Sequence, residues 1–411
     1  VEFDAGGGAV LRIIGGGERG SADGAGERAS FSEPSGIAVL PTKIARRVGY
    51  DLVVADTVNH LLRGVRLADG AVTTVAGTGR QWRHGPDGGA AREVDLSSPW
   101  DVAWWEPAGG VIVAMAGNHT LGLFDPLRDK VSRFAGTTVE GLRDGPADTA
   151  FFAQTSGLAA DTDRLWLADA ETSALRWIDR DFAVHTAIGT GLFDFGHRDG
   201  PAEQALLQHP LGVTVLADGT VAVSDTYNGA IRRYDPASGQ VSTVAIGIAE
   251  PSGAAVVDGR LAVVASAAHR LEWITPGAGD QRVSDGAHRV RRPPTEIAPG
   301  ELELAVVFTP PPGQKLDERD GPPVRLEITA SPPELLVAGA GAGAGLTRRL
   351  VIADHPSGGV LHVVAQAASC DDDPAVEHPA CRLTRQDWGV PVRVTAGGSH
   401  RLPLVMGGLD D

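Results

Sequence analysis

An all-β fold is expected for these 411 residues on three grounds. Glycine and proline are abundant, at 54 and 27 residues, and they recur in turn-like contexts instead of collecting in one low-complexity block. Many short strands joined by tight turns produce that distribution. Short β-rich runs such as LVVAD at 52–56, LWLAD at 165–169 and VAVSD at 221–225 return along the chain. Each is too short for an ordinary helix and is rich in the residues that fit a pleated surface. These runs also belong to longer segments that repeat.

The repeat is read from its anchors. FSEPSGIAV from Phe31, LSSPWDVAW from Leu96 and LQHPLGVTV from Leu207 share one pattern, FAQTSGLAA from Phe152 carries it with Thr155 in proline's place, and EPSGAAVV from Glu250 carries it again. Pro34, Pro99, Thr155, Pro210 and Pro251 are thus spaced by roughly 40 to 65 residues, the period of four-stranded propeller blades with loop insertions. An Asp-Gly turn precedes four of the anchors, at Asp23, Asp87, Asp144 and Asp199. After each anchor come a second strand, a few polar residues, and a third strand such as LLRGV from Leu61 or IRRY from Ile231.

One polar cluster looks at first like chemistry: Asp56, Thr57, Asn59 and His60 lie within five positions. A catalytic set should occur once, yet Asp225 and Asn228 repeat it, and Asn118-His119 repeats its second half. Asp56, Asn59, His60, Asp225 and Asn228 therefore read as structural turn residues, Asp accepting loop N–H groups and Asn tolerating a left-handed backbone.

Length suggests two or three domains and room for a large core. No run approaches the 18 or so apolar residues of a membrane helix, so no membrane partner is expected. A net charge of -16 argues against a broad phosphate-binding surface, and hence against a nucleic-acid partner. No signal-peptide pattern is visible, and a cytoplasmic location is expected.

At Asn59-His60-Leu61 and its counterparts the sequence resembles the NHL-repeat family, whose members form β-propellers. DG-x-x-x-x-A-x-F-x-x-P-x-G, SSPWDVAW, AMAGNH and a β-rich tail with two cysteines together are similar, more narrowly, to NHL proteins that carry an amino-terminal thioredoxin-like domain. That resemblance implies such a domain upstream of Val1 in a full-length relative; no C-x-x-C occurs in this chain. The opening residues, Val1–Asp4 and AVLRIIGG from Ala9, read as the last two strands of a blade. The expectation is a six-bladed propeller with an incomplete first blade over 1–285, a Pro-rich linker at 286–300, and a small β-sandwich over 301–411. A propeller short of two strands leaves sheet faces uncovered.

The tail's strand candidates alternate polar and apolar residues, as in ELELAVVFT from Glu301 and VRLEITA from Val324. The Gly/Ala run at 339–345 reads as a flexible hairpin loop. Cys370 and Cys381 end and begin successive strand regions, with Asp371, Asp372, Asp373, Glu377 and His378 between them. They are open to three readings: structural or unpaired cysteines, a redox couple, or a metal site lacking two advertised ligands. The pair loosely resembles the cysteines in the immunoglobulin-like domain of the bacterial transmembrane thiol-disulfide carrier. The aspartates disfavour a thiolate at Cys370, so a redox pair here is a disulfide that is attacked, with His378 compensating in part.

No catalytic residues, metal or cofactor are expected: inner-strand anchors are small, and no Ser/His/Asp set or phosphate loop is recognisable. Trp100-Asp101 is the exception, Asp101 standing where other blades have Gly36, Gly157, Gly212 and Gly253. Trp100, Asp101, His119 and His209 are the candidate ligand contacts at the channel mouth; the plainer alternative is that Asp101 caps a neighbouring backbone N–H while Trp100 covers the blade top. The expected function is a non-catalytic scaffold for a protein or peptide partner, with a thioredoxin-like domain as the partner the resemblance implies and thiol-disulfide exchange as the setting. The alternatives are a metal-dependent propeller lyase or lactone hydrolase, needing inward Asp, Glu, Asn or His from three blades, and an RNA-binding NHL propeller. Arg63, Arg66, Arg176, Arg232 and Arg233, on third strands, are expected as solvated ion pairs at blade edges.

Overall fold

The computed structural model describes residues 1–4, 10–83, 87–192, 194–277, 284–285, 294–310, 314–316, 323–354, 358–371 and 381–406. They form two compact units, Val1–Val290 and Arg291–Asp411.

The first unit is a β-propeller. Blade I consists of Pro34–Val39, Leu52–Asp56, Leu61–Val65 and Val72–Ala76, paired antiparallel in chain order. Blades II, III and IV begin with Pro99–Trp105, Thr155–Ala160 and Gly212–Val215, and each ends in a fourth strand joined by a two-residue strand from its Asp-Gly region. Blade V has three described strands, Pro251–Val257, Arg260–Ala265 and Arg270–Ile274. The innermost strands pack side by side in sequence from blade I to blade V. Inner and second strands are short and carry Ala, Val and Leu on both faces, because the sheets of blades II, III and IV are each sandwiched between two others. Thus Val53, Ala55 and Leu62 of blade I meet Val102, Val111 and Val113 of blade II in one buried cluster.

Glu2–Phe3 and Val10–Arg12 pair antiparallel as a two-stranded sheet, held to blade I by Arg12 Nη1 donating to Leu67 O at 2.8 Å. Ile14 and Phe31 cover the outer part of blade I on this side, packing on Val54, Val65 and Val72. The inner part is uncovered: Ile37 and Val39 are 58% and 69% exposed. On blade V, Val256 and Val264 are likewise exposed.

A helix, Thr42–Val48, interrupts blade I between its first two strands and was not expected from the strand-and-turn pattern. Pro41 precedes it, and Gly49 ends it with a left-handed φ of 83° while its N–H bonds to Ala45 O.

The second unit is a sandwich of two sheets. One contains Val324–Ser331, Gly359–Asp371 and Cys381–Val394; the other contains Gly300–Phe308, Thr347–Ile352 and Arg401–Met406. The alternation seen in the sequence is realised directly, with Leu302, Leu304 and Val306 facing Leu326, Ile328 and Leu361 across one core. Two sequence expectations change. Thr295–Ile297, inside the expected linker, is a strand pairing parallel to Val392–Val394. Gly341–Ala344, expected as loop, is an edge strand pairing with Arg325–Ile328, because residues without bulky side chains still offer a full set of backbone donors and acceptors.

Candidate functional site

The polar positions at the tops of the blades build a repeated buried network. In blade I, Asp56 accepts the N–H of Ser32 at 2.7 Å, Asn59 Nδ2 at 2.8 Å and Arg63 Nη1 at 2.7 Å. Arg63 reaches on to Asp23 of the Asp-Gly turn, at 2.8 Å. Blade IV repeats this with Asp225 accepting from Gln208 N–H, Asn228 and Arg232, and Arg232 pairing with Asp199. Blade III does so with Asp169, Arg176 and Asp144, Thr172 standing in for the asparagine. Burial pushes the Asp225 carboxyl up, and Arg232 and Asn228 oppose that shift.

These arginines correct the sequence reading. Arg63, Arg176 and Arg232 are fully buried instead of forming solvated edge pairs; of the five, Arg66 and Arg233 pair nearer the surface, with Asp69 and Asp218. Each buried guanidinium ties a second strand to an Asp-Gly turn, and in each case a threonine of the fourth strand, Thr74, Thr186 or Thr243, donates to the same turn aspartate. Blade II solves the problem differently. Met115 and Gly122 replace the second-strand aspartate and third-strand arginine, and the guanidinium comes from Arg133, opposite Gly122 on the fourth strand, which pairs with Asp87.

His60 and His119 join blades to each other. His60 Nδ1 accepts the N–H of Ser98, and His119 Nδ1 accepts the N–H of Gln154, both at 3.1 Å; Ser173 Oγ accepts from His209 N–H at 3.2 Å. The donors immediately precede the anchors, and they have left-handed φ values of 47° at Ser98, 54° at Gln154 and 48° at His209. That conformation turns each N–H toward the preceding blade.

A recess of about 580 Å³ opens at the mouth of the propeller across blades I, II and III. Glu33, Ser35, Thr57, Ser98, Trp100, His119 and Gln154 line it. Of the four candidate contacts, Trp100 and His119 are therefore brought together, and Asp101 and His209 are not among its walls. Asp101 instead braces the channel: its carboxylate accepts N–H from Val102 at 2.8 Å and from Leu158 of blade III at 2.7 Å. Gly36 leaves it room, since a Cβ there would collide with the carboxylate. Burial pushes the Asp101 carboxyl up to about 7, against the pull of the two N–H groups. His209 lies at the junction of blades III and IV, stacked on Tyr227 with ring centroids 4.4 Å apart and with Nδ1 3.8 Å from Glu171.

In the second unit Cys370 and Cys381 are directly opposite each other in the antiparallel pair of Gly359–Asp371 and Cys381–Val394. Lys315 is the partner of Cys370 on its other side. Asp372 and Asp373, with Glu377 and His378, lie outside the described residues; Lys315 gave no signal in the sequence because its strand, Gln314–Leu316, is only three residues long.

Comparison with known proteins adds the following. Residues 207–234, the anchor and first strands of blade IV, match the NHL repeat family. The chain is 32% identical over 296 residues to Protein SUPPRESSOR OF QUENCHING 1, chloroplastic, of Arabidopsis thaliana, covering 66% of this chain and 28% of that protein. It is 34% identical over 267 residues to NHL repeat-containing protein 2 of Homo sapiens, covering 58% of this chain and 36% of that one. The chain thus spans about a third of the length of these relatives. Among solved structures, a streptogramin B lyase aligns over 66% of this chain and 75% of its own, at 11% identity and a TM-score of 0.41. An NHL repeat is therefore present in blade IV, and this β-propeller chain is similar to NHL repeat-containing protein 2 and to SUPPRESSOR OF QUENCHING 1.

Proposed function

We propose that this chain is a binding scaffold whose propeller mouth receives a segment of a protein or peptide partner, in a larger protein engaged in thiol-disulfide exchange. The observation that carries the reading is the recess itself. Three blades contribute to it, one indole stands among hydroxyl, imidazole and amide groups, and its frame is fixed by the interblade bonds of His60 and His119. Rigid walls with a large aromatic anchor and a few polar groups suit peptide recognition, since little ordering entropy is lost on binding. The register of Cys370 and Cys381 supports the thiol part: directly opposed strand positions have Cα separations of about 4.5 to 5.5 Å, inside the range a disulfide spans.

Selection of peptides from a random display library against the full chain tests the mouth. Selected peptides should compete with one another and bind Trp100→Ala at least about tenfold more weakly, as expected for loss of an aromatic anchor. Peptides indifferent to that substitution, or no enrichment at all, would refute the assignment.

A further inference from the structure

The helix peculiar to blade I builds a second cavity, away from the mouth. Thr42–Val48 carries Arg47 in its last turn, and the chain then places Tyr50 over Gly64, where a Cβ would come within 2.8 Å of Tyr50 Cγ. Between blades I and II this leaves a cavity of about 300 Å³. Val75 and Leu127 give it apolar wall; Arg47, Arg92, Tyr50 and Asp129 give it polar rim.

The charges there are unbalanced. Among the described residues neither Arg47 nor Arg92 makes an ion pair or a side-chain hydrogen bond, unlike Arg12, Arg19, Arg66, Arg80 and Arg128, which each face a carboxylate; Arg28 and Arg46 are unpaired as well, and what sets Arg47 and Arg92 apart is that they line the same cavity. Two guanidinium groups against the one carboxylate of Asp129 leave the cavity positive, in a chain of net charge -16. Burial and the neighbouring Asp129 push the Tyr50 phenol up, so its hydroxyl stays protonated and available to donate.

We propose that this cavity binds an acidic peptide, a Glu or Asp carboxylate meeting Arg47, Arg92 and the Tyr50 hydroxyl while a neighbouring apolar side chain covers Val75 and Leu127. Guanidinium forks match a carboxylate geometrically. A free phosphate fits less well: its second negative charge would face Asp129, and it would leave the apolar wall wet. The site is independent of the mouth recess, which shares none of these residues.

The test is fluorescence anisotropy with labelled Gly-Leu-Glu-Leu-Gly and Gly-Leu-Gln-Leu-Gly amides on the full chain. The Glu peptide should bind, the Gln peptide about tenfold or more weaker, and the Glu peptide should lose a similar factor against Arg47→Glu/Arg92→Glu and weaken with added salt. Should the charge reversal impair folding, as thermal melting would reveal, Arg47→Gln/Arg92→Gln replaces it with the same expectation. The proposal is overturned by equal binding of both peptides, by indifference to the arginine substitutions, by no binding, or by inorganic phosphate occupying the site more tightly than the Glu peptide.

Discussion

His60 Nδ1 accepts the backbone N–H of Ser98 at 3.1 Å, so that a side chain of blade I satisfies a left-handed residue at the entrance of blade II. Only neutral imidazole can do this, because protonation fills Nδ1. Burial, with the Arg83 charge as a smaller cause, holds the His60 pKa below its ordinary 6.5. A lowered folded pKa means that the unfolded chain takes up the proton first. The contribution of His60 is then fully present above about pH 6.5 and is lost as pH falls from there through the folded pKa. Wild type should accordingly lose more stability than His60→Ala between pH 7 and pH 5, the variant having already lost about 1 kcal/mol at pH 7. Urea unfolding at several pH values checks this; parallel stability profiles would show that His60 does not act through its neutral ring.

The exchange between blades II and III is testable by transplantation. Arg176→Gly alone leaves Asp169 buried without its guanidinium and should cost about 3 to 5 kcal/mol, the usual penalty for breaking a buried pair. Asp169→Met/Arg176→Gly/Thr186→Arg rebuilds in blade III the arrangement of Met115, Gly122 and Arg133, with Asp144 receiving the relocated guanidinium as Asp87 does in blade II. The triple variant should therefore be more stable than Arg176→Gly, despite carrying two more changes. Denaturant midpoints decide it, and simple addition of the three single penalties would mean that the two arrangements are not interchangeable.

Blade boundaries were legible because the anchors, Asp-Gly turns and second strands are local patterns, and local patterns survive in a single sequence. The buried arginines were misread because a lone Arg on a strand looks like a solvent-facing residue. Their signal was nevertheless present: Arg63, Arg176 and Arg232 each follow a second-strand aspartate by seven residues and precede a fourth-strand threonine. The mouth recess was only half legible. Trp100 and His119 were singled out, but Glu33, Ser35 and Gln154 were missed, since their convergence depends on how far each blade turns about the axis and no short stretch encodes that. The helix at Thr42–Val48 was lost for a different reason: its seven residues are too few to establish a helical period.

Asp101 should make the propeller respond to pH in the opposite sense to His60. Its carboxyl is raised to about 7 in the folded protein, above the ordinary carboxylate value, so the folded state holds this proton longer than the unfolded chain does. Stability from this group is complete below about pH 4 and is lost as pH rises through about 7. Asp101→Asn removes the titration while sacrificing one of the two accepted N–H bonds. Near pH 4 the variant should match wild type, whose neutral acid likewise keeps a single carbonyl acceptor, and it should gain on wild type by up to about 4 kcal/mol by pH 8. A stability difference that does not change with pH would show that the carboxylate is adequately solvated through the channel.

The cysteines offer a test with a simple readout. Their opposed register allows a disulfide, and Lys315 is the strand partner of Cys370 on its other side; a lysine charge near a cysteine favours its thiolate. A thiolate that is stabilised leaves more easily, so an incoming thiol should attack the sulfur of Cys381, form a mixed disulfide with it, and release Cys370 as the thiolate. The attacking dithiol then resolves the mixed disulfide with its second thiol, ending oxidised while both cysteines end reduced. Alkylation followed by mass spectrometry should find the pair blocked in the oxidised protein and labelled at both positions after incubation with reduced thioredoxin. With Cys370→Ser, an activated disulfide reagent should still trap Cys381; with Lys315→Glu, reduction of the pair should slow about tenfold through loss of the leaving-group charge. A pair that keeps one state throughout, or a rate unchanged by Lys315→Glu, would return these cysteines to a structural role.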